Sequence, residues 1–480
     1  MNAQTEVPSP SFLRAACCFA GIVAILGVGL FHLDVPIHAL LFLCLCWAVV
    51  NARAAGATYG SVRDMMIAGI SEALPAIFIF FLIGIVIASY MVSGTVAALM
   101  VFGLDWLTPG TFLVLAFVLA ALMSLATGTS WGTVGTVGVV FMGIGEAMGV
   151  SAPLVAGVVI SGATFGDKLS PVSDTTNLAA MSAGTDLFTH IRAMLYTTVP
   201  TFLIVLAILL ALATVTPVAP MPAQPERIRS ALLAAYEIDW LVASLPIVVM
   251  LVLSLRRVPP EVCMTASAAA ALLLAFVQQD RSATELLGVL WQNQPGTTGI
   301  ASLDGLLGRG GMASMSWTLM LALLALALGG VLLRGRFLEV LLAGLTRRVR
   351  RPASLVAATI GTGVLGNAAL GEAYVSIILT AQTFRPAYAG QRLSPALLSR
   401  SVEEGATLTT GLIPWTTAGA FYAATLGVPT LDYVPYAFLN YLNPLVAIVM
   451  ASLGIGLMGA GRGAGEGTRA PLEGPVRAGD

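Results

Sequence analysis

Ser161-Gly-Ala-Thr-Phe-Gly-Asp-Lys-Leu-Ser-Pro-Val-Ser-Asp-Thr-Thr-Asn177 places two carboxylates, the only lysine of the chain, several hydroxyls, two glycines and a proline between hydrophobic segments. A charge at the bilayer centre costs roughly 2.5–3.5 kcal/mol even on lenient insertion scales, so such residues usually line a solvated ion path. The stretch reads as half of a cation site. Its surroundings decide the fold class: of 480 residues 58% are hydrophobic and 10% charged, and the mean hydropathy is +0.91. A soluble globular chain carries about a quarter charged residues. This is an all-α polytopic membrane protein.

Composition also excludes function classes. A net charge of −1 without a lysine-rich tract argues against a nucleic-acid surface or a polybasic lipid anchor. Cys17, Cys18, Cys44, Cys46 and Cys263 lie in apolar runs and form neither a zinc spacing nor a disulfide framework. The only histidines are His32, His38 and His190, too few for a histidine-built metal site, and His190 reads as a surface or capping residue. No catalytic motif is present, so the chain is not read as an enzyme and no cofactor is expected. The apolar run from about Phe12 to Phe31 lacks a cleavage region and reads as a first transmembrane helix.

Segments long enough to span, about twenty apolar residues each, fall near 14–32, 35–50, 75–92, 111–126, 197–216, 239–255, 261–279, 315–333 and 441–459. Between 127 and 195, and again between 361 and 430, hydropathy is interrupted by Gly, Pro, Ser, Thr, Asn and acids. Irregular backbone at membrane depth is tolerated where it is buried in protein or lines a cavity, so two interrupted zones point to a site. Shifting the chain by 243 residues aligns Ser151–Pro171 with Ser394–Pro414 without a gap, matching Gly162-Ala-Thr164 to Gly405-Ala-Thr407 and Pro171 to Pro414. The same shift pairs Gly128-Thr129 with Gly371-Glu372 and Pro109 with Pro352.

Basic residues favour cytoplasmic loops. Arg347, Arg348, Arg350 and Arg351 precede Pro352, whereas the mate before Pro109 has only Asp105. The two repeats are therefore expected to be inverted, with both termini cytoplasmic and Arg462, Arg469 and Arg477 in the tail. Arg227, Arg229, Arg281 and Arg309 fall on predicted outer loops against the rule. The expected organisation is two N-terminal helices in 1–60, repeat one in 61–216, connecting helices in 217–303, repeat two in 304–460 and a tail in 461–480. About fourteen crossings result if each interrupted zone spans, fewer if the zones are re-entrant hairpins.

Gly166 and Pro171 favour an unwound break near mid-membrane, which frees carbonyls and helix ends as ion ligands. Asp174, Thr175, Thr176 and Asn177 supply oxygen donors, the kind a hard alkali cation prefers. Asp167 and Lys168 can pair. The alternative is an ordinary helix N-cap at Ser173 or Asp174. Thr127–Thr133, with Thr129 and Ser130, is either a second oxygen source or a close-packing patch. Its mate in repeat two carries Glu372, preceded by Asn367. The expected alkali-cation ligands are Asp174, Thr175, Asn177 and Glu372, with Asp167, Thr129, Ser130 and Thr176 beside them. Arg400 and Glu404, four apart, can form an internal ion pair or serve transport together with Glu403. Thr416 and Thr417 sit in a second break that mirrors the first.

Gly162–Asn177 closely resembles the signature of NhaC-type sodium/proton antiporters. Thr127–Thr133 looks like that family's upstream Gly-Thr-Ser-Trp-Gly motif, and Ser399–Pro429 is similar to its C-terminal half. The resemblance covers most of residues 60–460. It implies the ion-transporter superfamily fold, with two inverted repeats, broken helices and re-entrant hairpins, usually dimeric, in the inner membrane of the cell. Where the family commonly reads Asn, then Gly-Asp-Gln-Tyr, this chain has Asn367 and Gly371-Glu-Ala-Tyr374. Antiport of Na+ or Li+ against H+ is the implied function. Some relatives exchange small organic acids, malate against lactate, which keeps a Na+- or H+-coupled exchanger of organic acids or amino acids as the alternative, with Lys168, Ser173, Asn367, Arg400, Glu403, Glu404, Thr416 and Thr417 as supporting or substrate residues. A non-transporting membrane scaffold is a third class, one that would tolerate neutralised acids.

Overall fold

The computed structural model describes residues 9–72, 74–215, 223–256, 258–346, 349 and 351–459. Arg347, Arg348, Arg350 and the tail arginines Arg462, Arg469 and Arg477 lie outside them. The chain opens with α1 (Phe12–Phe31), α2 (Ile37–Ala54) and α3 (Tyr59–Glu72). A first series follows, consisting of α4 (Leu74–Val92), α5 (Thr95–Trp106), α6 (Pro109–Thr127), α7 (Ser130–Thr133), α8 (Val139–Ala147), α9 (Ala152–Leu169), α10 (Asp174–Ala183) and α11 (Leu187–Val215). Connecting helices are α12 (Ala223–Ala235), α13 (Trp240–Ala243), α14 (Leu245–Leu255), α15 (Pro260–Val277), α16 (Ala283–Trp291) and α17 (Ala301–Leu307). A second series comprises α18 (Ser316–Arg334), α19 (Phe337–Thr346), α20 (Pro352–Leu370), α21 (Ala373–Gly390), α22 (Pro395–Gly405), α23 (Thr407–Thr410), α24 (Thr417–Leu426), α25 (Thr430–Tyr433) and α26 (Phe438–Ser452).

Among the described residues seven helices are long and apolar enough to cross a membrane, or nine if two bent pairs each count as one span. Their outer faces carry exposed Phe78, Leu122, Leu203 and Leu273, as lipid rather than water requires. The chain is an all-α polytopic membrane protein.

Helix boundaries recur at the 243-residue shift. Both α6 and α20 begin with proline in the first turn, where its missing N–H costs nothing, and each ends at a left-handed glycine, Gly128 (φ 71°) and Gly371 (φ 71°). A Cβ is disfavoured in that conformation, so glycine closes the helix and turns the chain sharply. The next pair begins at Ser130 and Ala373, the third at Ala152 and Pro395, the fourth at Asp174 and Thr417. In the first series the second of these helices, α7 to α8, contains a π-helical stretch, Val134–Gly138.

The interrupted zones are more helical than the sequence reading expects. α9 runs through Gly166 to Leu169, and the break is confined to residues 170–173. Gly166 is there because α9 lies against α6: a Cβ on it would stand 2.7 Å from Ser124 Cβ, among α6 backbone atoms. Small residues at such crossings are the usual price of close backbone approach. The second zone does break, since α22 stops at Gly405, α23 adds one turn, and residues 411–416 lead irregularly to α24.

Candidate ion-binding site

Four helix starts converge on one cavity of about 750 Å³, those of α7, α10, α21 and α24. Each is set by an N-capping side chain on the residue before it. Thr129 accepts from Gly132 N at 3.2 Å, Ser173 from Thr176 N at 3.4 Å, Glu372 from Tyr374 N at 3.5 Å, and Thr416 from Gly419 N at 3.0 Å. The N-cap alternative for Ser173 is therefore realised, and it places the following Asp174 at the cavity rather than in an ordinary loop.

Asp167, Asp174 and Glu372 line this cavity together with Thr129, Ser130, Thr175, Asn177 and Thr417. Asp167 is buried, and its Oδ2 accepts from Ser130 N at 3.1 Å and Ser130 Oγ at 2.7 Å. Glu372, also buried, accepts from Thr417 Oγ1 at 2.6 Å. Asp174 differs: it is exposed at the mouth, where Oδ1 accepts from Thr175 N at 2.8 Å and Oδ2 from the Tyr374 hydroxyl. The deep acids are thus Asp167 and Glu372. Asn177 spends its amide N–H groups on Pro171 O at 3.1 Å and Ser173 O at 2.6 Å, holding the turn closed.

Several buried oxygens of this wall have no hydrogen-bond partner, namely Asp167 Oδ1, Thr127 Oγ1, Thr407 Oγ1 and Thr410 Oγ1. An unsatisfied buried polar atom costs about 1–3 kcal/mol, so these oxygens are free to take a bound ion or water. Among the described residues no Lys, Arg or His lines the cavity, while a fourth carboxylate, half-buried Glu261, does. The acids and hydroxyls among the lining residues give a set of oxygen donors that suits a hard cation.

The remaining candidates lie elsewhere. Lys168 does not pair with its neighbour Asp167. Successive helical residues point about 100° apart, and Asp167 turns to the cavity whereas Lys168 turns to the fully buried Arg400, Glu403 and Glu404. Thr176 points the same way, its hydroxyl 3.1 Å from Glu403 Oε1, so it is not a cavity ligand. Arg400 and Glu404 form the internal ion pair, at 3.7 Å. Asn367 ties α20 to α23 by donating to Ala406 O at 2.6 Å and Thr409 Oγ1 at 3.1 Å. Thr416 caps α24. The surface or capping reading of His190 is wrong: the residue is fully buried, 2.6 Å from Glu403 through Nε2.

The Na+/H+ antiporter family model matches residues 15–176 and 162–455. The chain belongs to that family. The overlap of the two matches, residues 162–176, falls on the stretch that carries Asp167 and Asp174. Relatives of this antiporter-family chain include the Na+/H+ antiporter NhaC of Alkalihalophilus pseudofirmus, 38% identical over 91% of this chain and 94% of the relative. The malate-2H+/Na+-lactate antiporter of Bacillus subtilis is 32% identical over 90% and 94%. The arginine/ornithine antiporter ArcD of Halobacterium salinarum is 32% identical over 93% and 92%.

Sequence reasoning gave no role to Tyr374 or Glu261 and misplaced His190 in this family member. Tyr374 carries a signal in hindsight, since it stands two residues after an acidic N-cap, on the first turn that faces the same cavity. Glu261 carries none, because it opens α15, outside both repeats.

Proposed function

We propose that the protein is a secondary antiporter that exchanges Na+ or Li+ for H+. The observation that carries this reading is the cavity with its four carboxylates and, among the described residues, no basic side chain. A carboxylate removed from water accepts either a cation or a proton but seldom both, so exchange follows from competition at one group. Asp167 and Glu372 are the buried competitors, Asp174 is the acid at the mouth, and Thr129, Ser130, Thr175, Asn177 and Thr417 complete the oxygen set. Alternating access follows if the two helix series are inverted and one moves against the other around the fixed site. The same reading carries an inner-membrane location, cytoplasmic termini and a homodimer.

The cavity volume favours a second reading. About 750 Å³ lies in the range of small-molecule sites, and relatives are named for malate, lactate, arginine and ornithine. Arg400 stands outside the cavity, which leaves no fixed cation for an organic acid. Proteoliposomes decide between the two. Proton movement on Na+ addition, indifferent to malate, lactate or basic amino acids and abolished by Asp174→Asn, supports the first reading. Flux that requires an organic solute supports the second, and unchanged flux in the variant removes Asp174 from the site.

A further inference from the structure

The charges that the cavity leaves unused form one body. Lys168, His190, Arg400, Glu403 and Glu404 are all fully buried, and withdrawing ions from water costs several kcal/mol each unless something compensates. His190 holds Glu403 through Nε2 at 2.6 Å and Ser399 through Nδ1. Glu404 Oε1 accepts from Thr197 at 2.5 Å and lies 3.7 Å from Arg400 Nε. Lys168 Nζ, Arg400 Nη2 and Glu404 Oε2 have no hydrogen-bond partner. Donors and an acceptor therefore remain unsatisfied in one place, which a purely structural network avoids.

The cluster is separated from the cavity by a single turn of chain. Asp167 and Thr175 line the cavity, and the very next residues, Lys168 and Thr176, face the cluster. Thr176 Oγ1 sits 3.1 Å from Glu403 Oε1 and 3.2 Å from the Asp167 carbonyl oxygen. At the far end Arg400 Nη1 donates to Gly456 O at 3.2 Å, beside exposed Ile455. Two sets of polar groups, one from Thr176 through Glu403 to His190 and Ser399 and one from Thr197 through Glu404 and Arg400 to Gly456, thus lie between the back wall of the cavity and the protein surface.

We propose that the Glu403–His190 pair is a second proton-binding site of the antiporter, separate from the cavity carboxylates and reached from the surface around Gly456. The inference rests on the Na+/H+ exchange proposed above. With Lys168 and Arg400 positive, Glu403 and Glu404 negative and His190 neutral, the cluster carries no net charge, and one proton shared between Glu403 Oε2 and His190 Nε2 makes it +1. That charge repels a cation held across one turn of backbone, so the proton is favoured in the cluster when the cavity is empty. The charged groups around the pair are Lys168 from α9 and Arg400 and Glu404 from α22, and Tyr388 of α21 faces the latter two. The acid of α10, Asp174, is turned to the cavity; Arg385 of α21 lies against Gly184 at the end of α10, and Arg192 of α11 is exposed. α6, α20, α23 and α26 contain no Asp, Glu, Lys, Arg or His.

Two fluxes in proteoliposomes test this, isotopic Na+/Na+ exchange and Na+-driven proton movement, each across a pH series. For Glu403→Gln, which fixes the cluster at +1, Na+/Na+ exchange at saturating Na+ stays within about twofold with a raised half-saturating Na+, while proton movement falls about tenfold or more and the pH profile flattens. His190→Gln, which keeps hydrogen-bonding groups for both neighbours, gives the same split and carries the test if E403Q does not fold. A wild-type proton flux and pH profile in either folded variant overturns the proposal. Loss of both fluxes in a monodisperse variant also overturns it, because the cluster then serves the cavity. Absence of Na+/Na+ exchange in the wild type fails the exchange reading itself, an outcome distinct from a variant that keeps its coupling.

Discussion

Tyr374 donates its hydroxyl to Asp174, joining the first turn of α21 to the first residue of α10 across the cavity mouth. That phenol occupies a carboxylate oxygen that an incoming cation would use, so the two compete. Tyr374→Phe keeps the ring and removes the competitor. Its expected effect is a fall of about threefold to tenfold in the KM for Na+, equivalent to about 1 kcal/mol, with kcat held. Initial rates of Na+-driven proton movement measure it, and an unchanged or raised KM shows that the phenol orients Asp174 rather than competing for it. At this scale the sequence was legible in kind but not in depth. Asp167, Asp174 and Glu372 were all readable as candidate acids because a membrane chain spares few, and the structure brings the three to one cavity. Which of them is buried depends on helix phase and on partners such as Ser130 and Thr417, 37 and 45 residues away in sequence.

Among the elements, α6 was legible, its expected span near 111–126 lying within two residues of Pro109–Thr127. α20 was not expected as a span because its second half falls in the interrupted zone from 361, although proline marks the start and a left-handed glycine the end of both helices. Nor was α9 legible. Gly166 inside a polar stretch reads as a break, yet it exists to let α9 approach α6, and a glycine that packs is indistinguishable by sequence from one that turns. The crossing gives a direct test. A side chain at Gly166 meets α6 backbone, whereas Gly110, at the start of α6, has open space around its Cβ position. Gly166→Val overpacks the crossing at about 1–3 kcal/mol and lowers the Tm of the detergent-solubilised protein. Gly110→Ala leaves the Tm unchanged or slightly raised, since alanine is the better helix former by about 1 kcal/mol. Equal losses in both variants would remove close packing as the reason for glycine at position 166.

On the scale of the whole molecule, the recurrence of helix boundaries at one shift is consistent with either parallel or inverted repeats. Charge is what separates them. Thr108 stands at the N-cap of α6 near Asp105, while its mate Arg351 stands at the N-cap of α20 and follows Arg347, Arg348 and Arg350 in sequence. The exceptions to the basic-loop rule do not cancel this. Of the four, Arg229 pairs with Asp105 at 2.9 Å, Arg281 with Glu285 at 2.6 Å, and Arg309 donates to Leu426 O at 3.0 Å, while Arg227 is exposed. The rule nevertheless counts basic residues whether or not they are paired, which makes a direct measurement of sidedness decisive. With Cys17, Cys18, Cys44, Cys46 and Cys263 replaced, Thr108→Cys and Arg351→Cys each present one exposed thiol. A membrane-impermeant maleimide is expected to label Thr108→Cys only in right-side-out vesicles and Arg351→Cys only in inside-out ones. Labelling of both from the same side would make the repeats parallel, and the convergence of α7, α10, α21 and α24 on one cavity would then need a cycle other than rocking of two inverted halves.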